Sequence, residues 1–158
     1  MKALAEKLGA RLRARGAMLV TAESCTGGWA AQAVTAVAGS SEWFERGFVT
    51  YSNAAKEEML GVRPETLARH GAVSEETARE MALGALERSR GTVALAITGI
   101  AGPSGGSAAK PVGTVCFAWA AKGRESTETR HFPGDREAVR RQSVDHALQR
   151  VLELLDAG

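Results

Sequence analysis

The sequence predicts an α/β fold, a three-layer α/β/α sandwich around a mixed, mostly parallel sheet of about five strands. Segments with helical and strand-like patterns follow one another in the order α-β-α-β-α-α-β-β-β-α. The segment 92–98 alternates large aliphatic residues with alanine, which indicates a strand buried on both faces. The 158 residues contain no internal repeat, low-complexity tract or linker, so one domain is predicted over 1–158.

The first half of the chain contains two predicted strands between helices. Leucines recur every four residues in the opening segment up to Gly16, which predicts a helix with a glycine C-cap. Strands are predicted at 17–22 and 43–51. Between them, the segment 27–37 predicts a helix whose alanines allow close contact with a sheet.

The second half begins with helices and ends with strands and a long helix. A short helix is predicted within 52–61, with capping residues in front and Gly61 behind, and Asn53 is taken as its N-cap. A single helical turn near 64–69 follows. Ser74 is the predicted N-cap of a helix that extends to residue 90, because two glutamates occupy its first turn. The remaining predicted elements are a strand at 92–98, a hairpin at 112–121 and 125–132, and a helix at 135–155.

Composition limits the classes of function. With 44% hydrophobic and 24% charged residues, the chain has the composition of a soluble globular protein. No apolar run approaches the roughly 20 residues of a membrane span, and residues 1–16 lack a signal-peptide core, so a cytoplasmic location without membrane contact is expected. The net charge of +2 is too small to argue for nucleic acid. Two distant cysteines and three scattered histidines have no metal-ligand spacing, so neither metal nor cofactor is expected.

The segment 21–28, Thr-Ala-Glu-Ser-Cys-Thr-Gly-Gly, lies between a predicted strand and a predicted helix. Ser24 therefore has the first N–H groups of a helix beside it, an anion-binding backbone that suits acyl or phosphoryl chemistry. A βα loop with Ser24 or Thr26 as N-cap explains the same pattern. Cys25 competes with Ser24 as a nucleophile, but no histidine motif accompanies it and a buried thiol is favoured.

Lys56 is the second informative residue. With Asn53 as N-cap, Lys56 occupies the third helical position, where a cation opposes the helix dipole and the neutral amine is favoured. A neutral lysine can take the proton of a serine hydroxyl without any histidine. A lysine that reaches past the turn to water is the alternative. Tyr51, at the end of the preceding strand, either relays a proton or is an ordinary strand aromatic.

The loop 99–106 is rich in glycine but contains neither a Walker A motif nor GxGxxG. It directly follows the buried strand at 92–98, where α/β folds bind ligands. Thr98 would face the Ser24 turn if the first and third strands are neighbours. An ordinary glycine loop is the alternative.

Taken together, these segments closely resemble the CinA C-terminal domain family, which includes stand-alone nicotinamide mononucleotide amidohydrolases. The likeness covers nearly the whole chain in one order. The matching blocks are 22–28, 49–53 with Lys56, 71–74, 97–103, 105–106, 110–115, and 132–136 with Arg140.

The resemblance implies hydrolysis of the carboxamide of nicotinamide mononucleotide to nicotinate mononucleotide and ammonia, a step of pyridine nucleotide salvage. It implies Ser24 as nucleophile, Lys56 as general base and Tyr51 as a supporting group. Thr98 and the backbone N–H groups of the Gly27 and Gly99 turns are the candidates for stabilising the oxyanion. The implied substrate-binding residues are Gly27, Gly28, Gly99, Gly102, Arg140, Arg136 and Lys110, with Arg141 as a further candidate for the phosphate. No metal is implied, and a homodimer is expected.

A different class of function is a non-catalytic, CinA-like partner-binding domain linked to competence or recombination. The intact set of Ser24, Tyr51 and Lys56 favours the enzyme, because a binding module does not need an unfavourable lysine in a first helical turn. A nucleic-acid-binding module would rest only on the arginine clusters at 11–15 and 130–150.

Overall fold

A five-stranded sheet forms the centre of the computed structural model, which describes residues 1–158. The sheet order is β2-β1-β3-β4-β5, with β1 parallel to β2 and β3, and β4 antiparallel to β3 and β5. Since β5 opposes β4 and β4 opposes β3, every strand except β4 runs in the same direction. The predicted mixed, mostly parallel sheet is confirmed. The strands are β1 (Leu19–Glu23), β2 (Phe44–Val49), β3 (Val93–Gly99), β4 (Thr114–Ala121) and β5 (Arg124–His131).

Helices cover both faces of this sheet and complete the three layers. They are α1 (Lys2–Ala14), α2 (Trp29–Thr35), α3 (Asn53–Leu60), α4 (Pro64–His70), α5 (Glu75–Glu87) and α6 (Arg136–Ala157). Helices α1, α2 and α6 contact one another and contribute to one buried cluster, whereas α3 and α5 contribute to the other. The alternation in β3 separates the two clusters, because Leu95 and Ile97 face the first and Ala94 and Ala96 face the second. Burial on both faces is therefore confirmed.

Two of the predicted helix starts are correct. Ser74 accepts a hydrogen bond from Thr77 N at 3.0 Å, and Asp135 accepts one from Ala138 N at 2.9 Å. The prediction for α3 is wrong by one residue. The N-cap is Ser52, whose Oγ accepts from Ala55 N at 3.0 Å, and Lys56 is the fourth helical residue instead of the third. Serine and asparagine both make good caps, so the adjacent pair was ambiguous from the sequence.

Two further differences concern short helices. The predicted single turn near 64–69 is a helix of seven residues, α4, with Pro64 in its first turn. The helix predicted at 27–37 is shorter than predicted at both ends, because only the residues of α2 are helical. Gly27 and Gly28 have φ of +59° and +105°, outside the helical region, so α2 begins after them.

None of the helices combines the length and the apolar composition needed to cross a lipid bilayer.

Helix α5 packs against the end of α3 through Gly84. A Cβ atom at this position would lie 1.9 Å from the carbonyl oxygen of Leu60. Gly84→Ala should therefore lower the free energy of unfolding by about 1–3 kcal/mol through overpacking, although alanine favours a helix by about 1 kcal/mol over glycine. Chemical denaturation measures the difference. The exposed Glu87→Ala in the same helix is the control, and equal stability of both variants would contradict this packing.

Candidate active site

The carboxyl ends of β1, β2 and β3 meet at one edge of the sheet, and backbone hydrogen bonds hold them together there. Ser24 N, directly after β1, donates to Ile97 O of β3 at 2.9 Å. Thr50 N, directly after β2, donates to Glu23 O of β1 at 2.8 Å. Since β1 and β3 are neighbours, Thr98 lies beside the Ser24 turn. This edge is where ligands bind in open α/β sheets.

Lys56 reaches this edge from α3 and contacts Ser24. Its Nζ donates to Ser24 Oγ at 3.1 Å and to Thr50 O at 3.0 Å, and the side chain is only 1% exposed. No carboxylate lies within ion-pair distance of the ammonium group. Burial lowers the pKa of Lys56 below its usual range. When the amine is neutral, the Ser24 hydroxyl can donate to the nitrogen across the same contact, which is the geometry of a base and its nucleophile.

Ser24 and Lys56 line a cavity of about 330 Å³. Its other walls are the end of β2, the segment that precedes α5, the glycine loop after β3 and the first residue of α6. The cavity brings together seven of the predicted site residues, which are Ser24, Lys56, Tyr51, Thr98, Gly99, Gly102 and Arg136. The cavity is therefore built at one edge by residues from five separate parts of the chain.

Tyr51 lies at the mouth of the cavity and is 63% exposed. Its hydroxyl accepts a hydrogen bond from Arg136 Nη2 at 3.0 Å, while Arg136 Nη1 donates to Gly102 O at 2.8 Å. Tyr51 forms no hydrogen bond with Ser24 or Lys56 in this structure. Arg136 therefore connects two sides of the mouth, the end of β2 and the glycine loop.

The Ser24 turn offers two backbone donors. The N–H groups of Cys25 and Thr26 have no hydrogen-bond partner in another residue, whereas Gly27 N donates to Ser24 O at 3.0 Å. The Gly27 N–H group is therefore already hydrogen-bonded, whereas the N–H groups of the two preceding residues are not. Cys25 lines the cavity and Thr26 does not. The Thr98 hydroxyl donates to Ala72 O at 2.8 Å, which holds the segment before α5 against the site.

Four predicted substrate-binding residues lie outside the cavity. Gly27 and Gly28 directly precede α2. Arg140 lies behind the turn, where Nε donates to Cys25 O at 3.0 Å and Nη2 to Thr26 O at 3.2 Å. Lys110 donates to His70 O at 2.8 Å and lines a neighbouring hollow of about 450 Å³. The further candidate Arg141 is exposed on α6.

Cys25 is buried, as the sequence predicts. It is 6% exposed, and burial raises the pKa of its thiol to about 12, although the nearby Arg140 acts in the opposite direction. A thiol with so high a pKa is almost entirely protonated at neutral pH and is a poor nucleophile.

Glu23 is the residue that the sequence interpretation missed. It ends β1, is fully buried, and its carboxylate accepts hydrogen bonds from Thr26 Oγ1 at 2.6 Å, Ala30 N at 2.8 Å and Ala31 N at 3.0 Å. Gly28, the N-cap of α2, has no side chain with which to cap the helix. An acidic residue just before a helix whose cap is glycine was the available signal. No group of three histidine, cysteine, aspartate or glutamate side chains is arranged to hold a metal ion.

These features define a three-layer α/β protein with a buried serine–lysine pair at the carboxyl ends of its parallel strands. The chain belongs to the CinA C-terminal domain family, whose model matches residues 1–155.

Relatives and solved structures agree with this family. "Nicotinamide-nucleotide amidohydrolase PncC" of Escherichia coli strain K12 is 62% identical over 147 residues, which are 92% of this chain and 89% of that protein. The protein with the same name from Pseudomonas putida is 54% identical over 151 residues, 96% of this chain and 94% of its own. The crystal structure of competence/damage inducible protein CihA from Agrobacterium tumefaciens has a TM-score of 0.94 and 49% identity. The match covers 98% of this chain and 94% of the CihA chain.

The lowered pKa of Lys56 has a consequence for stability. Because the folded state disfavours the charged amine, it binds fewer protons than the unfolded state between the lowered pKa and the ordinary value of 10.5. The cost of burying Lys56 is therefore largest at low pH and disappears as pH rises through that window. Lys56→Met removes this cost, so its free energy of unfolding relative to wild type should be more favourable at about pH 7 than at about pH 10.

Urea denaturation at both pH values measures this difference. Lys122→Met, at an exposed lysine, is the matched control and should show no such change. A difference for Lys56→Met that is the same at both pH values would mean that the buried amine has an ordinary pKa.

Proposed function

We propose that this protein is a nicotinamide-nucleotide amidohydrolase that converts nicotinamide mononucleotide to nicotinate mononucleotide and ammonia, with Ser24 as nucleophile and Lys56 as general base. The observation that carries the proposal is the 3.1 Å contact between Lys56 Nζ and Ser24 Oγ inside a cavity. The names of the relatives support the predicted hydrolase of an amide C–N bond.

In the first step, the Ser24 hydroxyl gives its proton to the neutral Lys56 amine, and Oγ attacks the carboxamide carbon. The low pKa caused by burial favours the neutral amine that this transfer needs. The carbonyl oxygen becomes negative as the tetrahedral intermediate forms. The unpartnered N–H group of Cys25, the residue after the nucleophile, belongs to a residue that lines the cavity and can stabilise this charge.

The lysine then works in the opposite direction. Its ammonium group gives a proton to the amide nitrogen, the C–N bond breaks and ammonia leaves, with the acyl group bound to Ser24 as an ester. Lys56, neutral again, takes a proton from water as the water attacks the ester. Nicotinate mononucleotide leaves when the proton returns to Ser24. Two easier steps thus replace one difficult amide hydrolysis.

Arg136 and the glycine loop are the groups we propose for the phosphate of the substrate. Arg136 lines the cavity mouth, and a guanidinium group binds phosphate with two parallel hydrogen bonds. The N–H groups of Ala101, Gly105 and Gly106 have no partner, and the two glycines have φ of +86°. Successive free N–H groups in such a loop form an anion-binding concavity.

Five further expectations from the sequence stay predictions. They are the homodimer, the cytoplasmic location, the single domain, the role in salvage and the absence of nucleic-acid binding.

Ammonia release from nicotinamide mononucleotide tests the two central roles. The wild type should release ammonia, and Ser24→Ala and Lys56→Ala should each lower kcat by about 10⁴-fold or more, since each removes one member of a unit. The exposed residues Ser41 and Lys122 provide the controls Ser41→Ala and Lys122→Ala. A folded wild type that releases no ammonia would contradict the proposed activity and favour the partner-binding domain.

Hydroxylamine separates the ester mechanism from direct attack by water. It should intercept the ester on Ser24 by attacking the acyl carbon, which forms the hydroxamate and restores the serine hydroxyl. Hydroxamate detected by mass spectrometry supports the covalent intermediate. Normal ammonia release with no hydroxamate at high hydroxylamine concentration would argue that water attacks directly.

Arg136→Ala should raise KM for nicotinamide mononucleotide by about 10- to 100-fold, because hydrogen bonds to charged groups contribute about 1.5–3 kcal/mol. The effect should be much smaller for nicotinamide riboside, which lacks the phosphate. Arg150→Ala, at a surface position of the same helix, is the matched control. An equal loss with both substrates would contradict the phosphate contact.

A further inference from the structure

Arg140 is the arginine of α6 whose surroundings do not fit a substrate contact. Its guanidinium group does not line the cavity, lies 5.5 Å above the ring of Trp29, and is engaged by two backbone carbonyls of the Ser24 turn. Arg136 also makes two hydrogen bonds, but it lines the cavity, whereas Arg140 lies outside the cavity and contacts only the turn and Trp29. The contacts of Arg140 therefore suggest a role in the conformation of the turn.

The geometry of the peptide unit connects these contacts to the candidate oxyanion donors. In a planar trans peptide, the C=O of one residue and the N–H of the next point in opposite directions. The bond from Arg140 to Cys25 O therefore directs Thr26 N–H away from the arginine. The bond from Gly27 N to Ser24 O fixes Cys25 N–H in the same manner. Each unpartnered N–H group is thus oriented by the carbonyl of its own peptide unit, which accepts a hydrogen bond.

Glu23 holds the same turn from inside the protein. Its carboxylate bonds to Thr26 within the turn and to Ala30 and Ala31 beyond it, so it joins the turn to the first N–H groups of α2. No cation forms an ion pair with this fully buried group. Burying a carboxylate is costly unless hydrogen bonds compensate it. The hydrogen bonds that compensate the burial of Glu23 are therefore the same bonds that fix the turn.

We propose that Arg140 and Glu23 are positioning residues of the Ser24 centre, which hold the turn 24–27 so that Cys25 N–H stabilises the oxyanion. This inference rests on the proposed Ser24 nucleophile. It assigns Arg140 to the turn and leaves the phosphate to Arg136. A displacement of about 1 Å in a catalytic group can cost about 100-fold in rate.

The kinetic test uses substrates with and without the phosphate. Arg140→Ala should lower kcat by about 100-fold, by the same factor for nicotinamide mononucleotide and for nicotinamide riboside. Arg140→Lys should recover part of the rate, because an ammonium group can bond to the carbonyls but cannot reproduce the planar fork. Arg150→Ala is the control on the same helix and should resemble the wild type. A loss for Arg140→Ala that is confined to the phosphorylated substrate would overturn the proposal in favour of phosphate binding.

A second measurement needs no substrate. Phenylmethanesulfonyl fluoride should label Ser24 as the Oγ–S bond forms, fluoride leaves and the hydroxyl proton passes to Lys56. Mass spectrometry of the peptide that contains Ser24 gives both the rate and the final extent of labelling. Arg140→Ala and Glu23→Gln should label about 10- to 100-fold more slowly but to the same final extent as the wild type.

The two quantities separate positioning from unfolding. A reduced final extent means that part of the protein is misfolded, and if this is the only change in both variants the positioning role is wrong. Unchanged rates in both variants would also overturn it. A wild type that labels rapidly but releases no ammonia would contradict the proposed activity alone. A wild type that does not label would remove the activated serine on which the inference depends.

Discussion

The burial of Lys56 without a carboxylate partner is the constraint on which the rest of the site depends. An ammonium group removed from water loses several kcal/mol of solvation unless charge or hydrogen bonds replace it. Here only a serine hydroxyl and the Thr50 carbonyl face the amine. Burial therefore lowers the pKa of Lys56 and makes the neutral amine, the form that can accept a proton, less costly to reach. The Thr50 carbonyl is in place because the end of β2 is bonded to the end of β1.

The second buried ionisable group, Glu23, explains how Lys56 remains unpaired. A carboxylate in contact with Lys56 would hold the amine protonated, since an opposite charge nearby favours the charged form. Glu23 lies at the same edge of the sheet, but its oxygens accept from Thr26 and the start of α2 instead. The helix N-terminus thus satisfies the carboxylate and carries a favourable partial charge for it. Each buried group is satisfied by backbone and hydroxyl partners, and the two groups form no ion pair with each other.

Helix α6 places two arginines one helical turn apart, and the two contact different parts of the site. Arg136 contacts Tyr51 and Gly102 at the cavity mouth, whereas Arg140 contacts the carbonyls behind the turn. A separation of four residues keeps both on one face of the helix. One helix can therefore present a cation to a ligand and also brace the backbone that surrounds the nucleophile.

The pattern of residues along the chain is sufficient to predict the three layers and to identify the candidate centre. The alternation of Leu95 and Ile97 with alanine specified a strand buried on both faces, because side chains alternate along a strand. Ser24 and Lys56 stood out from their local positions, a strand-to-helix turn and a first helical turn that disfavours cations. The resemblance to the CinA family predicted the same residues. These features are local, so they can be read along the chain.

Which distant residues meet depends on how the elements pack in the folded protein. The sequence does not distinguish the role of Arg136 from that of Arg140, since both are arginines of the same helix. Their different partners follow from the packing of α6 against the rest of the protein. Glu23 had no assigned role, because its partners at Thr26, Ala30 and Ala31 depend on the conformation of Gly27 and Gly28. Burial of Lys56 likewise required β1, β2 and α3 to come together. Long-range packing sets burial, and burial sets the pKa on which the proposed chemistry depends.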